Sequence, residues 1–420
     1  MSVVLSTRCE RHKGVTFRDV SGNPFVGKSG INQHTPARVE MIRKTLCLLI
    51  AVQFPEIAFA YQFEFLNIKD DVHQRMAEQA LLCFTSNPGK HRFSCDGKTF
   101  STAPDVYLGS VNGLNLLTVD DVRRAVVWPD DPVRELSVTK IPRAALWAFR
   151  LVVDQCKKYR AGIQDGLRCS SHYGSLQFMH AMEGLKGESA KETQKAILDW
   201  SVFAYRVAVN KQDSSGYYND KDYCEFFAKE PRSKFVNAMS PQDLDGGAQF
   251  PCQKKDSSPW QMSTPFALSC TWGSATCAEY TYGNNFIVRK AALGAILHVI
   301  QDSYAKGHAS RGNDVAINTY ECAAIRQFQV YTEQDHERHA QADTYPYPST
   351  ACISGEADVD GPVTASAEVI RMFFANEDES KLRAYLADHV FKLADDLKEA
   401  GATDFFRKPM LEVLDKRGTQ

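Results

Sequence analysis

Apolar positions along this chain recur mostly at intervals of three and four, the spacing that lines one face of a helix. In IKDDVHQRMAEQALLCF, Val72, Met76, Ala80 and Leu81 form one stripe, and Asp70 or Asp71 stands where a side chain caps a helix start. KETQKAILDWSVFAYRVAV distributes Ile197, Val202, Ala204 and Val207 in the same way. FIVRKAALGAILHVIQDSYAK follows the good N-cap residues Asn284 and Asn285, and Gly307 is expected to stop it. ECAAIRQFQVYTEQDHERHAQAD and SAEVIRMFFANEDESKLRAYLADHVFKLADDLKEA continue the helical pattern, while strand-like alternation is scarce. The pattern predicts a mainly α protein with a core of packed helices.

Residues 210–283 depart from that texture, with Ser, Gly, aromatics and the cysteines Cys224, Cys252, Cys270 and Cys277. A stretch this long without helical periodicity is uncommon in a compact domain unless it is functional or disordered. Its cysteines favour a stapled, ordered insertion, expected to depend on disulfides and to set access to a site. The chain has no internal repeat and no low-complexity tract.

Composition adds little to this picture: 420 residues, 44% hydrophobic, 24% charged and a net charge of -2 describe an ordinary globular chain. There is no basic excess to collect a polyanion. MIRKTLCLLIAVQFPEIAFA, residues 41–60, changes the picture more. Arg43 and Lys44, an apolar core through Phe54, and Ala58-Phe59-Ala60 make the three parts of a secretory signal, cleaved near Ala60. The core is far shorter than the ~20 residues that span a bilayer. Because signals of this kind begin a chain, residues 1–40 are expected to be a non-native extension and translation to start at Met41. Removing residues 1–60 discards Cys9 and Cys47 and leaves ten cysteines, an even number with no CxxC pair. That suits disulfides in a secreted or periplasmic protein better than a thiolate metal site.

The chemistry concentrates in LHVIQDSYAKGH. His298 and Asp302 lie one helical turn apart and can converge on one point, and His308 follows six residues later across Gly307. His339 and Asp343 in HAQAD repeat the same interval, so two segments each offer a histidine and a carboxylate from one face. In order along the chain, side chains able to bind a hard or borderline metal are His73, Asp130, His180, His298, Asp302, His308, His339 and Asp343. Small residues Ala291, Gly294 and Ala295 precede His298 on its face and leave room for a helix or an ion. His172 in SSHYGS competes with His180, and His336 with His339, although only His339 has a carboxylate four residues on. His91 and His389 have no partner in the pattern and read as structural or surface residues.

This order resembles the zinc-dependent phospholipase C and S1/P1 nuclease superfamily, whose hallmark is H-x-x-x-D followed six residues later by H. His298, Asp302 and His308 match it, His339 and Asp343 match the downstream H-x-x-x-D/E, and Trp128-Pro129-Asp130 is similar to the segment that supplies a metal-bridging aspartate. His73 and His180 match an early and a middle histidine. Gln301 and Lys306 depart from the family's glycine and proline, and the gap between His308 and His339 implies an insertion.

The resemblance implies a single multi-helix domain over 61–420 holding up to three zinc ions. Asp130 would bridge a pair with His180, His298 and Asp302. His308, His339 and Asp343 would hold a second position, and the processed N terminus at Tyr61 would join His73. Nitrogen and carboxylate ligands without thiolates suit hydrolytic zinc. The expected activity is phosphodiester hydrolysis, phospholipase C-like ahead of S1/P1-type nuclease, with Asp130 as base and Arg134 as a phosphate clamp. The substrate would be a phospholipid head group, reached by peripheral membrane contact, or nucleic acid. A zinc-binding helical recognition module without turnover is the reading from another class.

Overall fold

The computed structural model describes residues 72–87, 90, 93–101, 117–131, 166–241, 252–253, 257–270, 277–279, 285–312, 317–342, 346–354, 357 and 359–407. Segments 1–40 and 41–60, and with them Tyr61, Arg134 and Asp343, lie outside the described residues.

The protein is mainly helical. Along the chain come α1 (Val72–Ser86), α2 (Val119–Ala125), α3 (Gly166–Tyr173), α4 (Ala190–Val209), α5 (Tyr223–Lys229), α6 (Lys234–Met239), α7 (Asn285–Asp302), α8 (His336–Ala342), α9 (Thr350–Ser354), α10 (Pro362–Phe374) and α11 (Glu379–His389). Among the described residues the sheets between them are small and two-stranded. β1 (Gln212–Asp213) pairs with β2 (Gly216–Tyr217), and β3 (Leu268–Cys270) with β4 (Cys277–Glu279). β5 (Ala309–Arg311) pairs antiparallel with β7 (Ile325–Phe328), and β6 (Thr319–Tyr320) parallel with β8 (Tyr347–Pro348).

α7 is the axis of the core. It packs along α4 on one side and against α2 and α10 on others, while α10 also runs along α1. Such a helix has to be apolar nearly all round, and from Ala291 to Ile300 every residue is buried. α2 is short, so its start is fixed by a capping box: Asp121 N donates to Thr118 Oγ1 at 3.1 Å and Thr118 N donates to Asp121 Oδ2 at 3.0 Å. Where α2 meets α7 there is no room for a side chain. A Cβ on Gly294 would lie 2.1 Å from the carbonyl carbon and oxygen of Ala125. The small-residue stripe therefore accommodates a helix.

α10 begins on a carboxylate borrowed from elsewhere in the chain. Asp96 accepts from Val363 N and Thr364 N, both at 3.2 Å, and from Tyr320 Oη at 2.7 Å. A buried anion at a helix N terminus satisfies the first amides and complements the macrodipole. Burial nevertheless outweighs these bonds and raises the Asp96 carboxyl above its ordinary range. The neighbouring disulfide Cys83–Cys95 holds this loop to α1.

Much of the described part of 210–283 packs into the core. Tyr223, Phe227, Phe235, Val236, Met239, Trp260 and Phe266 are buried in the main cluster. Phe266 lies tilted 4.6 Å from Trp128 and stacks 5.5 Å from Trp200, centroid to centroid. Burying one such aromatic contributes roughly 1.5–3 kcal/mol, so removing this segment would open the core. Cys224 is bonded to Cys252, and Cys270 stands opposite Cys277 in the β3–β4 ladder.

Three helical expectations need correction. Among the described residues of 321–343, His336–Ala342 is the α-helix and Tyr331–Glu333 a single 3₁₀ turn; Ile325–Phe328 is a strand, because it pairs with the segment that leaves His308. Over 366–400 the helix breaks at Ala375–Asp378, Asp378 caps a new one by accepting from Ser380 N at 2.9 Å, and that one ends at His389, so 390–400 is not helical. α7 also ends at Asp302, before Gly307, and Ser303–Gly307 form tight turns that bring His308 back.

A third disulfide, Cys322–Cys352, closes the stretch that carries α8. Three disulfides are compatible with a secreted or extracellular protein. Among the described residues no helix is long and apolar enough to cross a membrane.

Candidate metal centre

Asp302, at the end of α7, is fully buried and ringed by histidines. Its Oδ2 lies 2.9 Å from His180 Nδ1, 3.0 Å from His298 Nε2 and 3.5 Å from His308 Nδ1, and its Oδ1 lies 3.2 Å from His73 Nε2. Asp130 Oδ1 stands 3.8 Å from His298 Nε2. His73 stacks on His298 at 3.9 Å between centroids, and His339 on His308 at 5.1 Å. The fold thus gathers His73 from α1, Asp130 from the turn after α2, His180 from the 3₁₀ turn Gln177–His180, His298 and Asp302 from α7, His308 beyond it and His339 from α8. Three groups have ligand atoms within 4.8 Å of one another: His73, Asp130 and His298; Asp130, His172 and His180; His180, His298 and Asp302.

The ring orientations are set from behind. His298 Nδ1 donates to Val126 O at 2.8 Å and His308 Nδ1 to His180 O at 2.7 Å. A carbonyl can only accept, so in both rings the proton sits on Nδ1 and the Nε2 lone pair faces away. Two glutamines do the same for other rings. Gln301 Oε1 accepts from His73 Nδ1 at 2.7 Å, and Gln334 Oε1 from His339 Nδ1 at 2.7 Å. The Gln334 amide is oriented by its second bond, from Nε2 to Gly307 O at 2.6 Å. Gly307 is required by packing, since a Cβ there would lie 2.7 Å from His339 Nδ1.

Electrostatics favour neutral rings around one anion. Burial pushes His180 and His308 below the ordinary histidine value, and burial with the neighbouring His73 pushes His298 down to about 4. Burial acts on Asp302 in the opposite sense, but His308, His298 and the bonds from His180 and His298 outweigh it and hold the carboxyl well below its usual range. Neutral imidazole and ionised carboxylate are the forms that bind a metal.

The residues fit a divalent ion. Asp302 Oδ1 is buried and makes no hydrogen bond within the protein, an arrangement costly without a further ligand. The donors are nitrogen and oxygen, held by orienting bonds of the kind that surround metal-binding histidines. Of the residues expected from sequence, seven meet here; Tyr61, Arg134 and Asp343 lie outside the described residues, as does the His336 side chain. His172 and His180 both reach the cluster. Gln334 and the Val126 carbonyl carried no sequence signal, and Gln301 showed only as a departure from a motif.

No family model matches this chain, and neither a curated protein nor a solved structure matches it.

Proposed function

We propose that the chain is a zinc-dependent phosphodiester hydrolase, phospholipase C-like in its chemistry, that works outside the cytoplasm. The observation that carries this reading is Asp302, an ionised buried carboxylate approached by four histidines from four separate segments. Bound zinc would supply a water of pKa near 7 and positive charge beside the phosphorus oxygens. The histidines His73, His180, His298, His308 and His339 would hold the ions, with Asp302 shared among them. Asp130, which belongs to two of the three ligand groups, would orient or deprotonate the attacking water. Tyr61 and Asp343 are proposed as the remaining ligands, and Arg134 as the clamp on the substrate phosphate.

The net charge of -2 gives no general attraction for nucleic acid, which ranks a phospholipid head group, met by peripheral contact with the bilayer, ahead of a polynucleotide. The test uses purified full chain against a choline phospholipid, single-stranded nucleic acid and a chromogenic phosphodiester, each with and without chelator. Chelator-sensitive hydrolysis of the lipid is expected. Cleavage of nucleic acid alone would move the assignment to a nuclease. Stoichiometric zinc with no turnover on any substrate would leave a zinc-binding recognition module.

A further inference from the structure

His172 is the one cluster histidine that this ligand set leaves unused. It occupies the last turn of α3, and the chain then reverses through Gly174 into the 3₁₀ turn that carries His180. The reversal is tight: Gly174 N and Leu176 N both donate to Ser170 O, at 3.1 and 3.0 Å, and a Cβ on Gly174 would strike Ser170 Cα at 2.9 Å. Eight residues apart in sequence, the two rings are brought to 4.8 Å between centroids. A ligand atom of each lies within 4.8 Å of the other and of an Asp130 oxygen.

Exposure separates this corner from the rest. His73, His180, His298, His308 and His339 are all at least 98% buried, whereas His172 is half-buried. Asp130 faces both ways, being grouped with His73 and His298 on the inner side and with His172 and His180 on the outer. A neutral imidazole has a single lone pair, so His180 can serve only one ion at a time. If His180 serves the inner ion with Asp302 and His298, a second ion near Asp130 needs another nitrogen, and on the outer side His172 offers one.

We propose that His172 is a metal ligand, and that with Asp130 it forms a solvent-facing cation position, for a borderline divalent ion such as zinc, outside the buried His180–His298–Asp302 position. This rests on the reading of the cluster as a metal centre. Water would complete the coordination there.

The experiment strips the full chain of metal and titrates it with zinc and, separately, cobalt(II). It compares the wild type with His172→Ala and with His172→Gln, which keeps more of the side-chain volume. Ions per chain are counted by elemental analysis, affinities are read by competition with a chromophoric chelator, and the cobalt d–d spectrum reports coordination. Both variants should hold one ion fewer, or hold it at least ~10-fold more weakly, with an altered cobalt spectrum. The melting temperature of the metal-free protein should stay at the wild-type value, since the ring is half-exposed. Unchanged ion count, affinity and spectrum in both variants would overturn the role of His172 and leave the buried centre standing. A wild type that binds no ion would overturn the metal centre and this proposal together.

Discussion

Replacing Gly294 by alanine adds one methyl group to α7 and removes no chemical group from the metal centre. The added Cβ would lie 2.1 Å from the backbone of Ala125, against 3.4 Å for ordinary contact, a shortfall of about 1.3 Å. Backbone atoms cannot rotate aside as a side-chain tip can, so α2 must move away from α7. Val126 is the next residue, and its carbonyl accepts the His298 Nδ1 proton at 2.8 Å. A displacement of that size stretches this bond to roughly 4 Å, beyond hydrogen-bond range. Overpacking costs about 1–3 kcal/mol, and a buried donor left without an acceptor about 1–3 more. Asp130, in the turn that follows, moves with the same segment. Gly294→Ala should therefore unfold several degrees earlier and hold metal at least ~10-fold more weakly. Calorimetry on the stripped protein and a chelator competition on the loaded one measure the two effects separately. A variant with wild-type melting temperature and wild-type metal affinity would refute the link between helix spacing and the centre.

Gln301→Leu removes the acceptor for His73 Nδ1 and should cost ~1–3 kcal/mol of stability and 10- to 100-fold in metal affinity; Gln301→Glu, which still accepts, should lose much less metal affinity, as read by chelator competition. In metal-free protein His298 stays neutral until about pH 4, so the unfolded chain binds more protons between its ordinary value of 6.5 and 4. That contribution is complete above pH 6.5 and should be lost as the pH falls through this window, by about 3 kcal/mol, and denaturant melts across it should be flatter for His298→Gln. Glu183 behaves in the opposite sense, because burial and the adjoining Glu188 raise its carboxyl to about 8 despite Lys234 Nζ at 2.6 Å. Its contribution is favourable at low pH and declines as the pH rises from 4.5 toward 8, so Glu183→Gln should lose less stability than wild type over that range. Peptide mapping without reductant should recover Cys83–Cys95, Cys224–Cys252 and Cys322–Cys352 as linked pairs.

The interval between His298 and Asp302 was legible because a helix fixes which residues share a face, and α7 is long and apolar enough to be helical on its own evidence. The turn that returns His308 was not, since it depends on bonds such as Gln334 Nε2 to Gly307 O, made by a residue 27 positions away. Ile325–Phe328 is apolar only at its two ends, too little for periodicity to distinguish strand from helix, and only its pairing with Ala309–Arg311 decides it. The aromatics of 210–283 read as an appendage because their partners, Trp128 and Trp200, lie far upstream. Ring orientation was least accessible of all. A backbone carbonyl such as Val126 O is present at every position, so nothing in residue type marks the one that holds a histidine.

His73 meets its glutamine across 228 positions of sequence, and His180 meets Asp302 across 122. Contacts so distant along the chain incur their loop-closure entropy before they give any return, and they form late in folding. The cluster cannot exist as a local fragment: α1, the turn after α2, the 3₁₀ turn, α7 and α8 must all have docked before its donors meet. Metal therefore cannot nucleate this fold in the way it nucleates a small zinc-stapled domain. A metal bound there would be captured at the end, by a chain that has already closed, and its release during unfolding should coincide with the loss of the core as a whole.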